Sequence, residues 1–338
     1  MSDFDNDNLP SSSSEESVAS YGATDRGRVR ETNQDQFLIA GLSKSMSVAF
    51  SSLPLTKSVL GEVQGRLLLV ADGMGGHAAG ERASRLAIDG LVHELLDRVQ
   101  WFFEGEQTSS SQYMSTIDDS TFLDDPRNPK DADEEIKIEP KEQAFIEDLR
   151  EALRNVHSRI LLESAQHAEQ RGMGTTLTMA LLVWPRMYVL HAGDSRCYLV
   201  RGSEVEQLTT DHTLARQMVE AGGLSPEDEA TSKWSNVLWN VLGGRADGDL
   251  IAEVRRVTLE PGDSVILCSD GLHRYIDNNT LASVVSGAAT PAAACERLIE
   301  LANEAGGEDN ITVIVSQPSF DDGQQSTLVE DFDTVLPH

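Results

Sequence analysis

The sequence predicts an α+β protein in which two β-sheets pack face to face and helices cover their outer surfaces. Short apolar runs rich in β-branched residues are bounded by Gly, Pro or Asp, which is typical of strands. Longer segments with helical spacing stand before and after the central group of strands. Because strands and helices do not alternate regularly, the pattern disfavours a doubly wound parallel sheet.

The predicted strands are the short apolar runs that end at a turn residue. They fall at 67–71, 175–183, 187–191, 197–200, 264–268 and 311–315.

Three helices are predicted from apolar residues that repeat at helical spacing. The first spans about 79–101 and the third about 291–305. The third begins with Pro291 and is followed by Gly306 and Gly307, which is a favourable start and stop for a helix. The second helix presents one apolar face, formed by Phe145, Leu149, Ala152, Leu153, Val156 and Ile160.

The chain of 338 residues is long enough to bury a full hydrophobic core. We expect a single domain over 21–316, interrupted by an acidic insertion at about 104–142. Residues 1–20 are acidic and rich in Ser, so we expect them to be disordered. Residues 317–338 form a further acidic tail.

The formal charge of −29, from 56 acidic and 27 basic residues, constrains the partners of the protein. A surface this acidic repels phosphate backbones and anionic lipids, so we expect no nucleic-acid partner and no membrane partner. Metal cations fit better, because clustered carboxylates need a positive counterpart.

The three cysteines, Cys197, Cys268 and Cys295, have no metal-binding spacing. Two of them lie in apolar runs, which indicates reduced core residues of a cytoplasmic protein. No apolar stretch approaches ~18 residues, and the N-terminus lacks the pattern of a signal peptide.

Aspartates recur where the predicted strands begin or end, at Asp35, Asp72, Asp194, Asp270 and Asp309. One such residue is ordinary turn chemistry, since Asp-Gly favours tight turns. A set of them with few basic neighbours in sequence is harder to explain, because an unpaired charge at the rim of a core is costly.

Oxygen ligands without His or Cys beside them favour Mg²⁺ or Mn²⁺ over zinc. Carboxylates that bridge two such ions would form a binuclear centre. That centre would lower the pKa of a shared water molecule and so produce a nucleophile at neutral pH.

Arg30 precedes Asp35 by five residues, and arginine is the residue type that binds phosphate in a bidentate manner. A surface salt bridge is the alternative, and spacing alone leaves both open.

A different function is suggested by Gly73-x-Gly75-x-x-Ala78, whose spacing is similar to a dinucleotide-binding turn. That motif requires an acidic residue at the end of a second strand ~20 residues further on. The corresponding stretch, 89–97, lies inside the first predicted helix. The sequence therefore disfavours a dehydrogenase.

A series of motifs in order resembles the PPM-type (protein phosphatase 2C-like) serine/threonine phosphatases, in particular their bacterial branch. Any one motif is weak, but this many in order, over about 21–316, is specific. The motifs are TDRGRVRETNQDQF, LLLVADGMGGHAAGERAS, GMGTTLTMALL, YVLHAGDSRCYLVR, LTTDHTL, NVLGG, DSVILCSDGL and EDNITVIVS.

The resemblance implies a four-layer αββα sandwich of two antiparallel sheets, each flanked by a helix pair, with the metal site at one edge. It also implies that Asp72 bridges two ions, with Gly73, through its carbonyl, and Asp35 serving the second ion. Asp270 and Asp309 would hold the first ion. Asp194 together with Asp270 would hold a weaker third ion.

In the resembling family Arg30 would orient the phosphate, while a metal-bridging water attacks phosphorus in line. The segment at about 213–240 would form a flap that shapes substrate access.

The sequence departs from the family pattern at three positions. Gln34 replaces a glutamate, which weakens one water-mediated contact to metal. Met74 stands where eukaryotic members often carry a histidine that could protonate the leaving group, whereas bacterial members share the methionine. Arg274 replaces an acidic residue and puts positive charge next to the third ion.

We therefore expect an enzyme, a Mn²⁺- or Mg²⁺-dependent phosphatase with two or three ions, acting on phosphorylated Ser and Thr of a protein substrate. The resemblance further implies that it opposes a Ser/Thr kinase. The alternative is a catalytically weak, phosphatase-like regulatory module that binds a phosphoprotein. Gln34 and Arg274 favour that alternative, whereas the presence of Asp35, Asp72 and the other predicted ligands disfavours it.

Overall fold

A computed structural model of the protein describes residues 18–43, 63–98, 140–244 and 249–318. The first 17 residues, the C-terminal tail from 319 and nearly all of the predicted acidic insertion lie outside the described residues. The predicted disorder of the N-terminal segment therefore lies almost wholly outside them as well.

The described chain contains strands β1 to β12 and helices α1 to α6. The strands are β1 Val18–Asp25, β2 Asp35–Ser43, β3 Val63–Met74, β4 Gly174–Thr175, β5 Leu177–Val183, β6 Arg186–Ala192, β7 Arg196–Arg201, β8 Glu204–Gln207, β9 Leu242–Gly243, β10 Glu253–Thr258, β11 Ser264–Cys268 and β12 Ile311–Pro318. The helices are α1 His77–Arg98, α2 Pro140–Gln166, α3 Leu214–Glu220, α4 Asp270–His273, α5 Asn278–Gly287 and α6 Pro291–Glu304. Short 3-10 turns lie at Ala168–Gln170 and Pro226–Asp228.

The strands form two antiparallel sheets, which confirms the predicted fold class. One sheet has the order β1-β12-β11-β7-β8. The other has the order β10-β6-β5-β3-β4-β9, and β2 pairs with β3 beside this path.

The apolar run in strand β3 is continuous because the strand is covered on both faces. Leu67, Leu69 and Ala71 pack into the cluster that contains the buried faces of α1 and α2. Leu68 and Val70 point the other way, into the layer between the two sheets. Successive side chains of a strand alternate between its faces, so a strand covered on both sides must be apolar at every position.

The second sheet is covered in the same manner. On β12, Val313 and Val315 pack against α5 and α6, while Ile314 lies between the sheets. The molecule therefore has helices, sheet, sheet and helices in four layers, with three apolar interfaces between them.

Helix ends follow the capping signals in the sequence. Thr290 caps α6 through its side chain, which accepts a hydrogen bond from the Ala293 backbone N–H, and Pro291 occupies the first helical position. Thr213 and Asp277 cap α3 and α5 in the same way. Within the described ranges, no helix has the length and apolar content to cross a membrane.

Candidate metal centre

All five predicted aspartates come together at one edge of the two sheets. Asp35 opens β2 and pairs directly with Asp72 on β3. Asp194 lies in the turn between β6 and β7, and Asp270 is the first residue of α4, just after β11. Asp309 precedes β12 by two residues. The fold thus converts strand-end positions far apart in sequence into one acidic cluster.

The carboxyl groups of this cluster destabilise one another's ionised forms. Burial, followed by the charges of Asp35, Asp270, Asp194 and Asp309, raises the pKa of Asp72 well above its usual range. Burial raises the pKa of Asp35 to about 7 and that of Asp194 to about 8, with a further contribution from Asp270 in each case. A bound positive charge would remove this repulsion.

Asp35 is fixed by two hydroxyl groups that the sequence motif did not reveal. Ser269 and Thr312 each donate a hydrogen bond of 2.7 Å to Oδ2 of Asp35. Oδ1 of the same carboxylate is buried and has no hydrogen-bond partner. One oxygen is therefore held in place while the other is left for a ligand.

Asp270 is arranged similarly. Its Oδ2 forms an ion pair with Arg274, and its Oδ1 is buried without a hydrogen-bond partner. The charge of Asp270 also acts on the buried carboxyl group of Asp72 and helps to raise its pKa. A cation at this position would relieve the repulsion between the two carboxylates. Buried oxygens without partners, in a set of oxygen donors alone, fit hard divalent cations.

Arg30 lies at the rim of the cluster on the loop between β1 and β2. Its Nη2 donates a hydrogen bond of 2.7 Å to Oδ2 of Asp309, and 53% of its side chain is exposed. Asp270 and Asp72 also act on it electrostatically. The salt bridge that the sequence left open is present, and the exposed guanidinium remains accessible to an incoming anion.

An open cavity of about 280 Å³ lies beside Arg30. Its lining comes from the β1–β2 loop and the turn before α1, namely Arg30, Glu31, Thr32, Gln34, Gly75 and Gly76. A substrate entering this cavity would meet Arg30 at the edge of the carboxylate cluster.

Gly73, one of the two glycines that suggested a dinucleotide-binding turn, has a packing role, and so does Gly80 in α1. A Cβ on Gly73 would lie 2.2 Å from the carbonyl oxygen of Gly80 in α1 and 2.8 Å from that of Gln34. A Cβ on Gly80 would lie 2.8 Å from the side-chain amide of Gln34. Only glycine permits the end of β3, the start of α1 and the Gln34 loop to approach this closely. The structure places Gln34 against α1, and both sheets formed by the described residues are antiparallel and not doubly wound.

Asn310 is a site residue that sequence reasoning missed. Its Oδ1 accepts a hydrogen bond from the Gln34 backbone N–H, and its Nδ2 donates to the carbonyls of Arg26 and Thr32. This buried side chain ties the loop that carries Arg30 to the start of β12. The motif EDN contained Asn310, but nothing in the sequence indicated its partners.

His191, His212 and Glu253 form a second group in the described chain that could hold a metal ion, with ligand atoms within 4.8 Å of one another. The two imidazole rings are stacked at 4.9 Å, so their in-plane lone pairs do not converge. Nε2 of His191 lies 3.1 Å from the carbonyl oxygens of Gly193 and Thr210, and can only donate to them. We interpret this group as support for the Gly193–Asp194 turn.

Backbone hydrogen bonds join the two ends of the segment that was predicted to form a flap. The backbone N–H of Leu214 donates to the carbonyl of Val237, and that of Trp239 to the carbonyl of His212. Between these points the segment contains α3 and the second 3-10 turn. Trp234 and Trp239 are 37% and 40% exposed on it.

Two antiparallel sheets between helices, with a carboxylate cluster at one edge, define the class of protein that the sequence motifs resemble: metal-dependent protein phosphatases. A family model described as protein phosphatase 2C matches residues 58–303. The chain belongs to the protein phosphatase 2C family.

The sequence similarity to named relatives covers most of this chain. The serine/threonine protein phosphatase PstP of Mycobacterium tuberculosis is 30% identical over 92% of this chain and 48% of the relative's length. The serine/threonine phosphatase stp of Listeria monocytogenes is 27% identical over 86% of this chain and 92% of its own. The chain thus spans about half of the mycobacterial relative and nearly all of the other.

A solved structure that contains metal ions shares the fold. The crystal structure of the catalytic domain of PstP in complex with two manganese ions is 29% identical, with a TM-score of 0.61. The similarity covers 90% of this chain and 99% of that one.

Proposed function

We propose that this protein is a metal-dependent phosphoprotein phosphatase that hydrolyses phosphoserine and phosphothreonine. The observation that carries the proposal is the cluster of five aspartates in which Asp35 and Asp270 each keep one buried oxygen without a hydrogen-bond partner. The family and the names of its relatives support the same reaction.

We further propose that Asp35, Asp72, Gly73, Asp270 and Asp309 hold two Mn²⁺ or Mg²⁺ ions. When bound, such ions would supply Lewis acidity to the phosphate oxygens and lower the pKa of a water molecule for attack on phosphorus. Asp72 pairs with Asp35 across β2 and β3, and the charge of Asp270 also acts on its carboxyl group, so these three aspartates could contribute to the same metal centre.

The protein's own residues would position the substrate around this centre. Arg30 would bind the phosphate with its exposed guanidinium while its contact to Asp309 sets its direction. Ser269 and Thr312 would keep the Asp35 carboxylate from rotating. The segment at about 213–240 would shape access to the cavity.

We propose as the physiological substrate a phosphorylated protein whose kinase is a Ser/Thr kinase, so that the two enzymes would act in one signalling pathway. The relatives' names support Ser/Thr specificity.

We also propose a cytoplasmic location, which the three free and buried cysteines support. The catalytic domain would span about 21–316.

The proposal is tested by phosphate release from a phosphothreonine peptide, with Mn²⁺ or with excess chelator. We expect release only with the metal, and a loss of at least about 100-fold in kcat for Asp270→Asn. Arg297→Ala, on an exposed face of α6, should keep full activity. Full activity of Asp270→Asn or of the chelated enzyme would refute the mechanism. Tight peptide binding without turnover would favour the regulatory module.

A further inference from the structure

Helix α4 places an arginine directly on the carboxylate cluster. Arg274 follows Asp270 by four residues, one helical turn, and its guanidinium forms an ion pair with Oδ2 of Asp270. Its Nη1 also lies 3.9 Å from Oδ2 of Asp309. The side chain is 32% exposed, so the ion pair is partly shielded from solvent.

The same helix is docked onto the turn that carries Asp194. Nε2 of His273, the residue before Arg274, lies 2.9 Å from the carbonyl oxygen of Asp194 and donates to it. Asp194 is buried, and the positive charge of Arg274 acts on its carboxylate. Arg274 is therefore the cation next to the Asp194–Asp270 pair, whereas Arg30 approaches Asp309 from the β1–β2 loop.

The resemblance assigned a third divalent ion to Asp194 and Asp270. Such an ion does not fit the observed arrangement, because Oδ2 of Asp270 already faces a guanidinium. The remaining oxygen, Oδ1, is the buried one without a hydrogen-bond partner. A third ion would have to displace Arg274 and then remain close to its positive charge.

We propose that the guanidinium of Arg274 takes the place of a third divalent cation at the Asp194–Asp270 pair, so that this protein binds two ions and not three. The inference rests on the proposed metal centre. A tethered guanidinium supplies one positive charge to the pair at any metal concentration, because it is covalently held and stays protonated. The positive charge at this position would then be constant, whereas the occupancy of a weakly bound ion would vary with the metal concentration.

The test counts the Mn²⁺ ions bound per chain at saturation, by equilibrium dialysis followed by metal analysis. We expect two ions for the unmodified protein and for Arg274→Lys, which keeps the charge. Arg274→Ala should bind a third ion, and the double variant Arg274→Ala/Asp194→Asn should lose it again. Arg297→Ala changes the net charge equally at an exposed position and should bind two.

The outcomes separate this inference from the proposed function. Three ions in the unmodified protein, or two in Arg274→Ala, would overturn the inference and leave the metal centre intact. No bound ion in any variant would refute the metal centre itself. If Arg274→Ala does not fold, anomalous scattering from crystals of the unmodified protein in excess Mn²⁺ decides. Two peaks with Arg274 on Asp270 support the inference, and a third peak beside Asp194 overturns it.

Discussion

Asp72 lies next to four other carboxyl groups, and burial together with those charges raises its pKa well above the usual range. Without a cation, the ionised cluster is therefore unfavourable for the folded state. Buried like charges persist at a site only where the surrounding structure holds them in place and a ligand relieves them. At the scale of one residue, the requirement for metal binding and the requirement for stability are opposed.

This opposition predicts that Asp72→Asn stabilises the metal-free protein while abolishing catalysis. In chelator at pH 8, the melting temperature should rise by about 2–4 °C, equivalent to about 1 kcal/mol of relieved repulsion. Differential scanning calorimetry measures the change. Asp228→Asn, on the exposed 3-10 turn away from the cluster, should leave the melting temperature unchanged. A lower melting temperature for Asp72→Asn would contradict the account.

At the scale of the elements, the site depends on loops that are tied to strand ends. Asn310 joins the start of β12 to the loop that carries Arg30 by three hydrogen bonds. The backbone also approaches closely here, since a Cβ on Gly271 would lie 2.0 Å from the carbonyl oxygen of Asn310. These contacts hold α4, β12 and the β1–β2 loop in one arrangement around the carboxylates.

We predict that Asn310→Ala lowers the free energy of unfolding by about 2–4 kcal/mol, because it leaves a buried N–H and two carbonyls without a partner. The KM for a phosphopeptide should also rise, since Arg30 lies on the released loop. Urea denaturation and steady-state kinetics measure the two effects. Asn279→Ala, at an exposed position of α5, should change stability by less than about 0.5 kcal/mol. Equal effects of the two variants would show that the hydrogen bonds of Asn310 have no structural role.

The elements also show which parts of the fold could be predicted from sequence. The run in β3 was recognised because it is buried on both faces, and β11 was predicted with the observed bounds. Strands β1 and β10 were missed because their partly exposed residues give no continuous apolar run. Strand β1 begins at Val18, inside the segment expected to precede the domain.

The sequence identified the charged residues of the cluster but not the groups that position them. Aspartates at strand ends are visible locally, whereas the groups that hold them are distant in sequence. Ser269 and Thr312 are separated from Asp35 by 234 and 277 positions, so only the folded chain brings them together. Arg274 was noted because it departs from the family pattern four residues after Asp270, whereas its ion pair with Asp270 is seen only in the structure.

At the scale of the whole molecule, metal binding, protonation and stability are linked. The pKa of Asp35 is raised to about 7 and that of Asp194 to about 8. These two carboxyl groups therefore bind more protons in the folded metal-free protein than in the unfolded chain, and their contribution to stability falls as pH rises from about 4 to about 8. Burial lowers the pKa of His191 to about 4, which reduces stability as pH falls below about 6.5.

From this linkage we predict that the increase in melting temperature caused by saturating Mn²⁺ grows from pH 5.5 to pH 8. Protons compete with the metal for the carboxylates at the lower pH, and repulsion destabilises the metal-free protein at the higher pH. Thermal unfolding with Mn²⁺ or chelator at each pH measures the increase. Asp72→Asn should show a much smaller increase throughout. A Mn²⁺ effect that is constant or declines with pH would contradict the linkage.

In the proposed mechanism, catalysis requires a pair of divalent ions held by the aspartates at the sheet edge. The most direct measurement is the initial rate of phosphate release from a phosphothreonine peptide, recorded against the number of Mn²⁺ ions bound per chain. We expect negligible release with fewer than two ions per chain and full activity when the second ion binds. Substantial release by the metal-free protein, or a rate that saturates with one ion, would contradict it.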